Sequence, residues 1–502
     1  MRSKSIKKLN NKMNSKKVIV TFLILVCTIF NIGAQNITPD SKVLYKEVNG
    51  DSLYLHLFKP ELSKKPTAAI VFFFGGGWTG GTPKQFYQQS KYFASRGILA
   101  ISAEYRVKNT HGTSPFECVE DGKSAIRWVR ENAKELNIDP NKIVASGGSA
   151  GGHVALTTAL IKGLENVDEN LSVSSVPNAV VAYNPVSDTT VKGYGSKKVV
   201  GRETEISPTH QVKKEMPPML IFHGTKDKTV PFENAERFTR LMKEAGNDCE
   251  LVAVDNMGHG FFNGDFFREG TGNKYFNLTA YKTDVFLEKL CYLKGKPTLA
   301  ENIKQVSCIG DSNTEATYPK FLQEKLGENY QVKNFGKGGA TLIEGTNHPY
   351  FKKKEYKNSL KFTPDIVLIM FGTNDAMSKW CLSEERKSKI KFVGTAQEEF
   401  KSQYVKLINT YKRKNQNAKI YILTPMPIYV HEKSRDPKVT ERIEHLNNWV
   451  IPTIREVSKE ENVELLDVNK LMKKAYKYTI DGVHLTEKGY EVLAKKIAKE
   501  IK

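Results

Sequence analysis

A serine between glycines at the end of an apolar run is the first place in this sequence where chemistry can be expected. Ile143-Val144-Ala145-Ser146 leads into Gly147-Gly148-Ser149-Ala150-Gly151-Gly152-His153, and the apolar stretch from Val154 to Leu160 continues as a buried helix. Strand, sharp turn and helix in that order make a nucleophile elbow, where the serine backbone is strained and neighbouring backbone comes too close for a Cβ. The Ser149 hydroxyl is thereby presented as a nucleophile. Three more pieces follow strand-like runs. In Gly75-Gly76-Gly77-Trp78, glycines let backbone N–H groups turn inward, so Gly76 and Gly77, with the N–H of Ala150, are placed to hold a developing oxyanion. Asp227, in His223-Gly224-Thr225-Lys226-Asp227, is the candidate acid, and His259, in Met257-Gly258-His259-Gly260-Phe261, the candidate base. Asp255 stands as the alternative acid. Each piece alone has a plainer reading, since a Gly-x-Ser-x-Gly is often only a turn and a single histidine often only core. Their order, Ser149, Asp227, His259, is that of one serine-hydrolase arrangement.

The elements that must position these residues are legible as alternation. Ala68 to Phe74, Ile98 to Ser102, Ile143 to Ala145, Ala179 to Tyr183, Met219 to Phe222 and Leu251 to Val254 are apolar and strand-length, with helical-length segments between most of them. Such alternation predicts an α/β fold, a mostly parallel sheet with helices on both faces. Ala125, Trp128, Val129, Ala133 and Leu136 fall at helical spacing, with Asp139-Pro140 as the expected stop. A helix through Phe286-Leu287-Glu288-Lys289-Leu290 closes the first half, and Lys294-Gly295-Lys296-Pro297-Thr298 breaks the pattern. Alternation then restarts at Lys304 to Ile309, Tyr330 to Asn334, Asp365 to Phe371, Lys419 to Leu423 and Val463 to Asp467. The chain ends on an amphipathic helix with Tyr490, Leu493, Ala494, Ile497 and Ile501 on one face. The expected organisation is a leader over 1–34, one α/β domain over 35–293, a linker over 294–302 and a second α/β domain over 303–502.

On its four ordered motifs, the stretch from about Ser41 to Leu293 resembles an α/β-hydrolase of the esterase branch that includes bacterial feruloyl and acetylxylan esterases. One position departs from that family: Phe74 stands before the glycines where His is usual. The second half carries a different series at its strand ends, namely Gly310-Asp311-Ser312, Asn334-Phe335-Gly336-Lys337-Gly338-Gly339-Ala340, Gly372-Thr373-Asn374-Asp375 and Asp481-Gly482-Val483-His484. From about Ile303 to Lys502 this series resembles the SGNH (GDSL-type) hydrolases, which implies a flavodoxin-like three-layer α/β/α domain. The resemblance makes Ser312 the nucleophile, His484 the base and Asp481 its orienting acid. It also implies an oxyanion hole from the N–H groups of Ser312 and Gly339 and the side-chain amide of Asn374. Asp311 and Asp375 are expected to cap or brace loops.

Composition narrows the function classes. The formal charge of +21 includes seven basic and no acidic residues before Val18, and removing those seven leaves +14. The remaining lysines are scattered among glutamates and form no basic and aromatic stripe, so nucleic acid is not an expected partner. The leader reads as an export signal, with Lys16-Lys17, an apolar core from Val18 to Phe30 and small residues ahead of Gln35. Met13 is an alternative start. Val26 disfavours a lipoprotein anchor at Cys27, and the apolar core is short of the ~20 residues of a membrane span. The other cysteines, Cys118, Cys249, Cys291, Cys308 and Cys381, are expected as buried small hydrophobes. No metal cluster, phosphate loop or dinucleotide fingerprint is present, so no cofactor is expected. Two serine hydrolases on one exported chain suggest a periplasmic or extracellular carbohydrate esterase. Its expected substrate is acylated polysaccharide or oligosaccharide such as xylan or pectin, with acetyl or feruloyl as the acyl group. A lipid or aryl esterase pair, a prolyl-oligopeptidase-like peptidase and a sugar-binding surface protein are the alternatives.

Overall fold

Every strand read from the sequence forms, and two more precede them. The structure is a computed structural model, described for residues 36–61, 65–377, 394–434 and 436–502. The expected leader, with Cys27, and Cys381 lie outside those residues.

The first sheet has eight strands: β1 (Ser41–Val48), β2 (Asp51–Phe58), β3 (Thr67–Phe73), β4 (Leu99–Ala103), β5 (Ile138–Gly148), β6 (Ala179–Tyr183), β7 (Met219–Gly224) and β8 (Cys249–Val254). They lie in the order β1-β2-β4-β3-β5-β6-β7-β8. From β4 to β8 all pairings are parallel, whereas β2 runs antiparallel to both β1 and β4. The central strands are apolar throughout because helices cover both faces. In contrast, β1 (Ser-Lys-Val-Leu-Tyr-Lys-Glu-Val) mixes charged and apolar residues along a half-exposed edge. Asn49-Gly50, both at positive φ (54° and 85°), turns β1 into β2. That dipeptide between two strands is a hairpin signal in its own right.

The helix Pro115–Glu131 starts at a capping box in which Ser114 and Glu117 satisfy each other's backbone N–H groups. It ends earlier than its apolar spacing predicts. Asn132 caps it, Asn137 takes a positive φ of 53°, and Asp139-Pro140 fall inside β5 instead of stopping the helix. Pairing decides this, because Ile138 already faces Thr67 of β3.

The second sheet is wholly parallel: β9 (Lys304–Gly310), β10 (Tyr330–Gly336), β11 (Ile366–Met370), β12 (Lys419–Leu423) and β13 (Glu464–Leu466), in the order β10-β9-β11-β12-β13. This is the doubly wound order 2-1-3-4-5. Alternate residues of one strand feed two cores: Val367 and Ile369 join Phe400 and Ile454, while Leu368 and Met370 join Leu493 and Ile497 of the final helix Glu487–Ile501. Two cores on one sheet mean three layers. Both sheets lie within one compact unit beginning at Pro39. Cys118, Cys249 and Cys308 are buried as expected, but Cys291 is exposed, since it follows the helix Lys274–Lys289 at a positive-φ turn.

Candidate active sites

Four adjacent strands of the first sheet end at one place, and each delivers a polar residue there. Ser149 follows β5 with φ 55° and ψ −119°, a conformation costly to a residue with a Cβ. Its surroundings impose that turn. A Cβ on Gly151 would lie 2.1 Å from the carbonyl of Phe73, and one on Gly147 2.4 Å from that of Gly151. The Ser149 Oγ is 2.9 Å from His259 Nε2, and His259 Nδ1 is 2.7 Å from Asp227 Oδ2. A carboxylate only accepts, so Nδ1 carries the proton and Nε2 is left to accept from the serine hydroxyl.

The Asp227 carboxylate is saturated with donors. Oδ1 accepts from the N–H groups of Thr229 (2.8 Å) and Val230 (3.0 Å), and Oδ2 also accepts from Asn184 Nδ2 (2.7 Å), which follows β6. Burial would raise this carboxyl, but bonds from His223 and His259, with Asn184, hold it well below the usual carboxylate range. Asp255, the alternative, accepts instead from Thr225 and Asn256 at the surface and makes no bond to His259.

The glycine loop lies against the elbow: a Cβ on Gly75 would be 3.2 Å from Ser149 Cβ. Gly76 and Gly77 have φ of 136° and 62°. Ala150 opens the helix Ala150–Leu160, so its N–H has no partner within that helix. With Phe74 in place of the family's usual His, other side chains hold the loop. Gln85 Oε1 accepts from the Gly75 N–H (2.6 Å), Lys198 donates to the Gly77 carbonyl (2.5 Å), and the Tyr105 hydroxyl donates to the Phe74 carbonyl (2.6 Å). Gln85 also ties this loop to the histidine loop, since its Nε2 donates to Asn263 (3.1 Å), whose own amide donates to the Gly260 carbonyl (2.8 Å).

The second sheet assembles a similar set. Ser312 Oγ is 3.0 Å from His484 Nε2, and His484 Nδ1 is 2.8 Å from Asp481 Oδ2. Asp481 Oδ1 accepts from the N–H groups of Val483 and His484 (2.9 and 2.8 Å). Burial works to raise the Asp481 carboxyl, but the N–H and ring of His484 outweigh it and hold it low. Gly339 has φ 70°. Asn374 donates from Nδ2 to the Ala340 carbonyl (3.0 Å) and accepts at Oδ1 from Arg442 (3.2 Å), which fixes the orientation of its amide. His484, Asp481, Asn374 and Arg442 line a cavity of about 910 Å³ whose rim carries Lys433 and Lys438.

A BD-FAE family model matches residues 55–242, and a GDSL-like Lipase/Acylhydrolase family model matches residues 308–492. The chain carries a BD-FAE (α/β-hydrolase esterase) domain followed by a GDSL-like lipase/acylhydrolase domain. Over 457 residues it is 29% identical to an acetylxylan esterase of Xylanibacter ruminicola, covering 86% of this chain and 90% of the relative. Endo-1,4-beta-xylanase B of Butyrivibrio fibrisolvens is 26% identical over 258 residues, 48% of this chain and 40% of that one. The apo form of Thermogutta terrifontis esterase 2 is 43% identical, covering 53% of this chain and all of that one, with a TM-score of 0.49. Families and relatives together make the protein a carboxylic ester hydrolase. Among the described residues no helix is long and apolar enough to cross a membrane. Nor do three His, Cys, Asp or Glu side chains among them come together as a metal site.

In the GDSL-like domain, Asp311 and Asp375 are both buried. Asp311 accepts from the Asn313 N–H as a cap (3.0 Å), and Asp375 braces the loop after β10 through the N–H groups of Leu342 (2.8 Å) and Ile343 (3.0 Å). Burial pushes the Asp375 carboxyl up to about 7, and Asp311 adds to the rise. Arg442 is the residue the sequence did not single out: it donates to the Thr373 carbonyl (2.9 Å) as well as to Asn374.

Three outcomes are expected. Asp227→Asn should lower kcat at the first site by up to the ~10⁴-fold seen when a triad carboxylate is neutralised, with Asp255→Asn close to unchanged; steady-state kinetics showing the reverse would move the acid to Asp255. Arg442→Lys keeps the charge but loses the fork that holds both carbonyls, so kcat at the second site should fall toward the ~10²-fold cost of a misplacement of about 1 Å. An unchanged kcat would free Asn374 of Arg442. The third concerns pH. The folded Asp375 titrates near about 7 and an unfolded aspartate near ~3.9, so this group's contribution is full below the unfolded value and is lost as pH rises toward about 7. Thermal unfolding should therefore show wild type losing Tm relative to Asp375→Asn across that window, and parallel curves would contradict it.

Proposed function

We propose that this protein is an exported two-site carbohydrate esterase that removes acyl groups, foremost acetyl, from a plant polysaccharide such as xylan or pectin. The observation that carries the reading is the acetylxylan esterase relative, which aligns with 86% of this chain and so with both halves. The xylanase relative also supports a polymeric substrate. In this reading the first domain spans 35–293 and the second 303–502, after a leader over 1–34.

At the first site, His259 Nε2 takes the hydroxyl proton as Ser149 Oγ attacks the ester carbonyl carbon. The carbonyl π electrons move to oxygen, where the N–H groups of Gly76, Gly77 and Ala150 receive the charge. Asp227 stabilises the imidazolium without taking its proton. Collapse breaks the bond to the sugar oxygen, which takes the proton from His259 and leaves as the hydroxyl, with the acyl group on Ser149 Oγ. Water, activated by the same imidazole, then releases the acid and restores Ser149. The second site repeats these steps with Ser312, His484 and Asp481, and with Gly339, Asn374 and the Ser312 N–H around the oxyanion.

Each set is chemically complete, so the two nucleophiles act separately. Ser149→Ala should abolish one activity and Ser312→Ala the other, read as acetate released from acetylated xylan and pectin beside small p-nitrophenyl esters. Loss of both activities in either single variant would overturn the two-site reading. Turnover of lipid esters or dipeptide amides with none of the polysaccharides would overturn the substrate class.

A further inference from the structure

The loop that carries His259 is held from outside its own sheet. Beyond the histidine, Arg268 donates to the His259 carbonyl (3.3 Å), and its guanidinium lies so near Gly260 that a Cβ there would be 2.4 Å away. The Asp265 carboxylate gathers the same loop through the N–H groups of Gly270 (2.9 Å) and Gly272 (3.2 Å), and it pairs with Lys333 of β10. Three more contacts cross to the second domain. The Asn273 N–H donates to Gln331 Oε1 of β10 (2.7 Å), Gln305 Nε2 of β9 donates to the Thr271 carbonyl (3.3 Å), and Lys274 pairs with Asp365 just before β11 (2.6 Å). Packing is tight there. Gly272 has φ 80°, and a Cβ on it would fall 1.8 Å from Gln305 Nε2 and 2.5 Å from the Phe362 ring.

Gln305 and Gln331 are the second residues of β9 and β10, Asp365 precedes β11 and Lys333 lies midway along β10, whereas Ser312, Gly339 and Asn374 follow the carboxyl ends. The contact therefore reaches the loop of the first site without including a residue of the second. Inside the first domain, the Gln85 and Asn263 amides brace the near end of that loop at Gly260, and Gln88 donates to Asn273 Oδ1 (3.0 Å) and accepts from the Phe266 N–H (3.4 Å). The far arm, from Asp265 to Lys274, is held between Gln88 on that side and Lys333, Gln331, Gln305 and Asp365 of the second domain on the other.

We propose that the second domain has a role besides its own chemistry: through Lys333, Gln331 and Gln305 it clamps residues 265–274 and so positions His259 against Ser149. Lys333 and Gln331 are positioning residues, and neither approaches a reacting atom. The inference rests on the ester-cleaving reading of the Ser149 site.

The test uses the full chain carrying Ser312→Ala, so that all ester turnover comes from the first site. Adding Lys333→Met with Gln331→Leu should lower kcat on a small ester by about five-fold or more, with KM within about two-fold, because the near-attack geometry and not binding is disturbed. Lys333→Arg in place of Lys333→Met should restore most of the loss. Amide hydrogen exchange over 257–273 should quicken in the double variant. The same pair of substitutions in a Ser149→Ala chain should leave kcat at the second site unchanged. Unaltered first-site kcat and exchange would overturn the clamp, and so would a joint fall of both activities with Tm. A Ser312→Ala parent without ester turnover would sink the catalytic reading instead, and the exchange rates would still decide the clamp.

Discussion

An ionised carboxylate shut away from water has to be met by donors, and that requirement organises the first domain around Asp227. Its side chain has no solvent exposure, so every lone pair must find an N–H. The sheet order supplies them. Ser149, Asn184, Asp227 and His259 follow β5, β6, β7 and β8, which are neighbours in that order, so each crossover brings one polar residue to the same rim. Asn184 and the Thr229 and Val230 amides occupy the remaining lone pairs, leaving one direction for the imidazole. The proton is thereby fixed on Nδ1, and the free nitrogen faces the serine. The positive φ of Ser149 is the conformational cost of meeting it there.

The second domain brings a serine, a histidine and an aspartate together with a shorter device. Asp481 and His484 share one turn, and the aspartate bonds both the backbone and the ring of the histidine. Both side chains remain partly exposed, at 31% and 41%. What is buried here lies behind the site: Arg442 holds the Asn374 carbonyl side, and Asp375 anchors the Leu342-Ile343 loop beyond Gly339. Burial is complete at Asp375 behind the site and only partial at Asp481 and His484.

These differences explain which parts could be read in advance. The central strands and the residues at their ends were legible because a parallel sheet covered on both faces demands unbroken apolar runs, and its carboxyl ends are where glycine-rich turns collect polar groups. The hairpin β1–β2 escaped notice because its strands mix polar and charged residues with apolar ones and so form no unbroken apolar run, although Asn49-Gly50 marked its turn. The helix end at Glu131 was misplaced because the apolar spacing of Ala133 and Leu136 continues past it, and the pairing of Ile138 with Thr67 overrides that spacing. Gln85 with Asn263, Arg442 with Asn374 and Lys333 with Asp265 are separated by 178, 68 and 68 residues. Nothing local distinguishes such residues from other polar residues, because their meaning lies in what they meet.

The two solutions differ in what each site must borrow from the rest of the chain. In the GDSL-like domain, acid and base are three residues apart, and their alignment survives any motion that carries the turn as a whole. In the BD-FAE domain, Asp227 and His259 lie 32 residues apart on separate strand ends, and Ser149 is 110 residues from His259. Their alignment depends on loops that have to be held individually. Gln85 and Asn263 link the glycine loop to the near end of the histidine loop, Gln88 holds Asn273, and Asp265 pairs with Lys333 of the neighbouring sheet. A serine, aspartate and histidine gathered from distant strand ends therefore have more loops to hold in place, and a contact from a second domain has more to act on there than where aspartate and histidine share one turn.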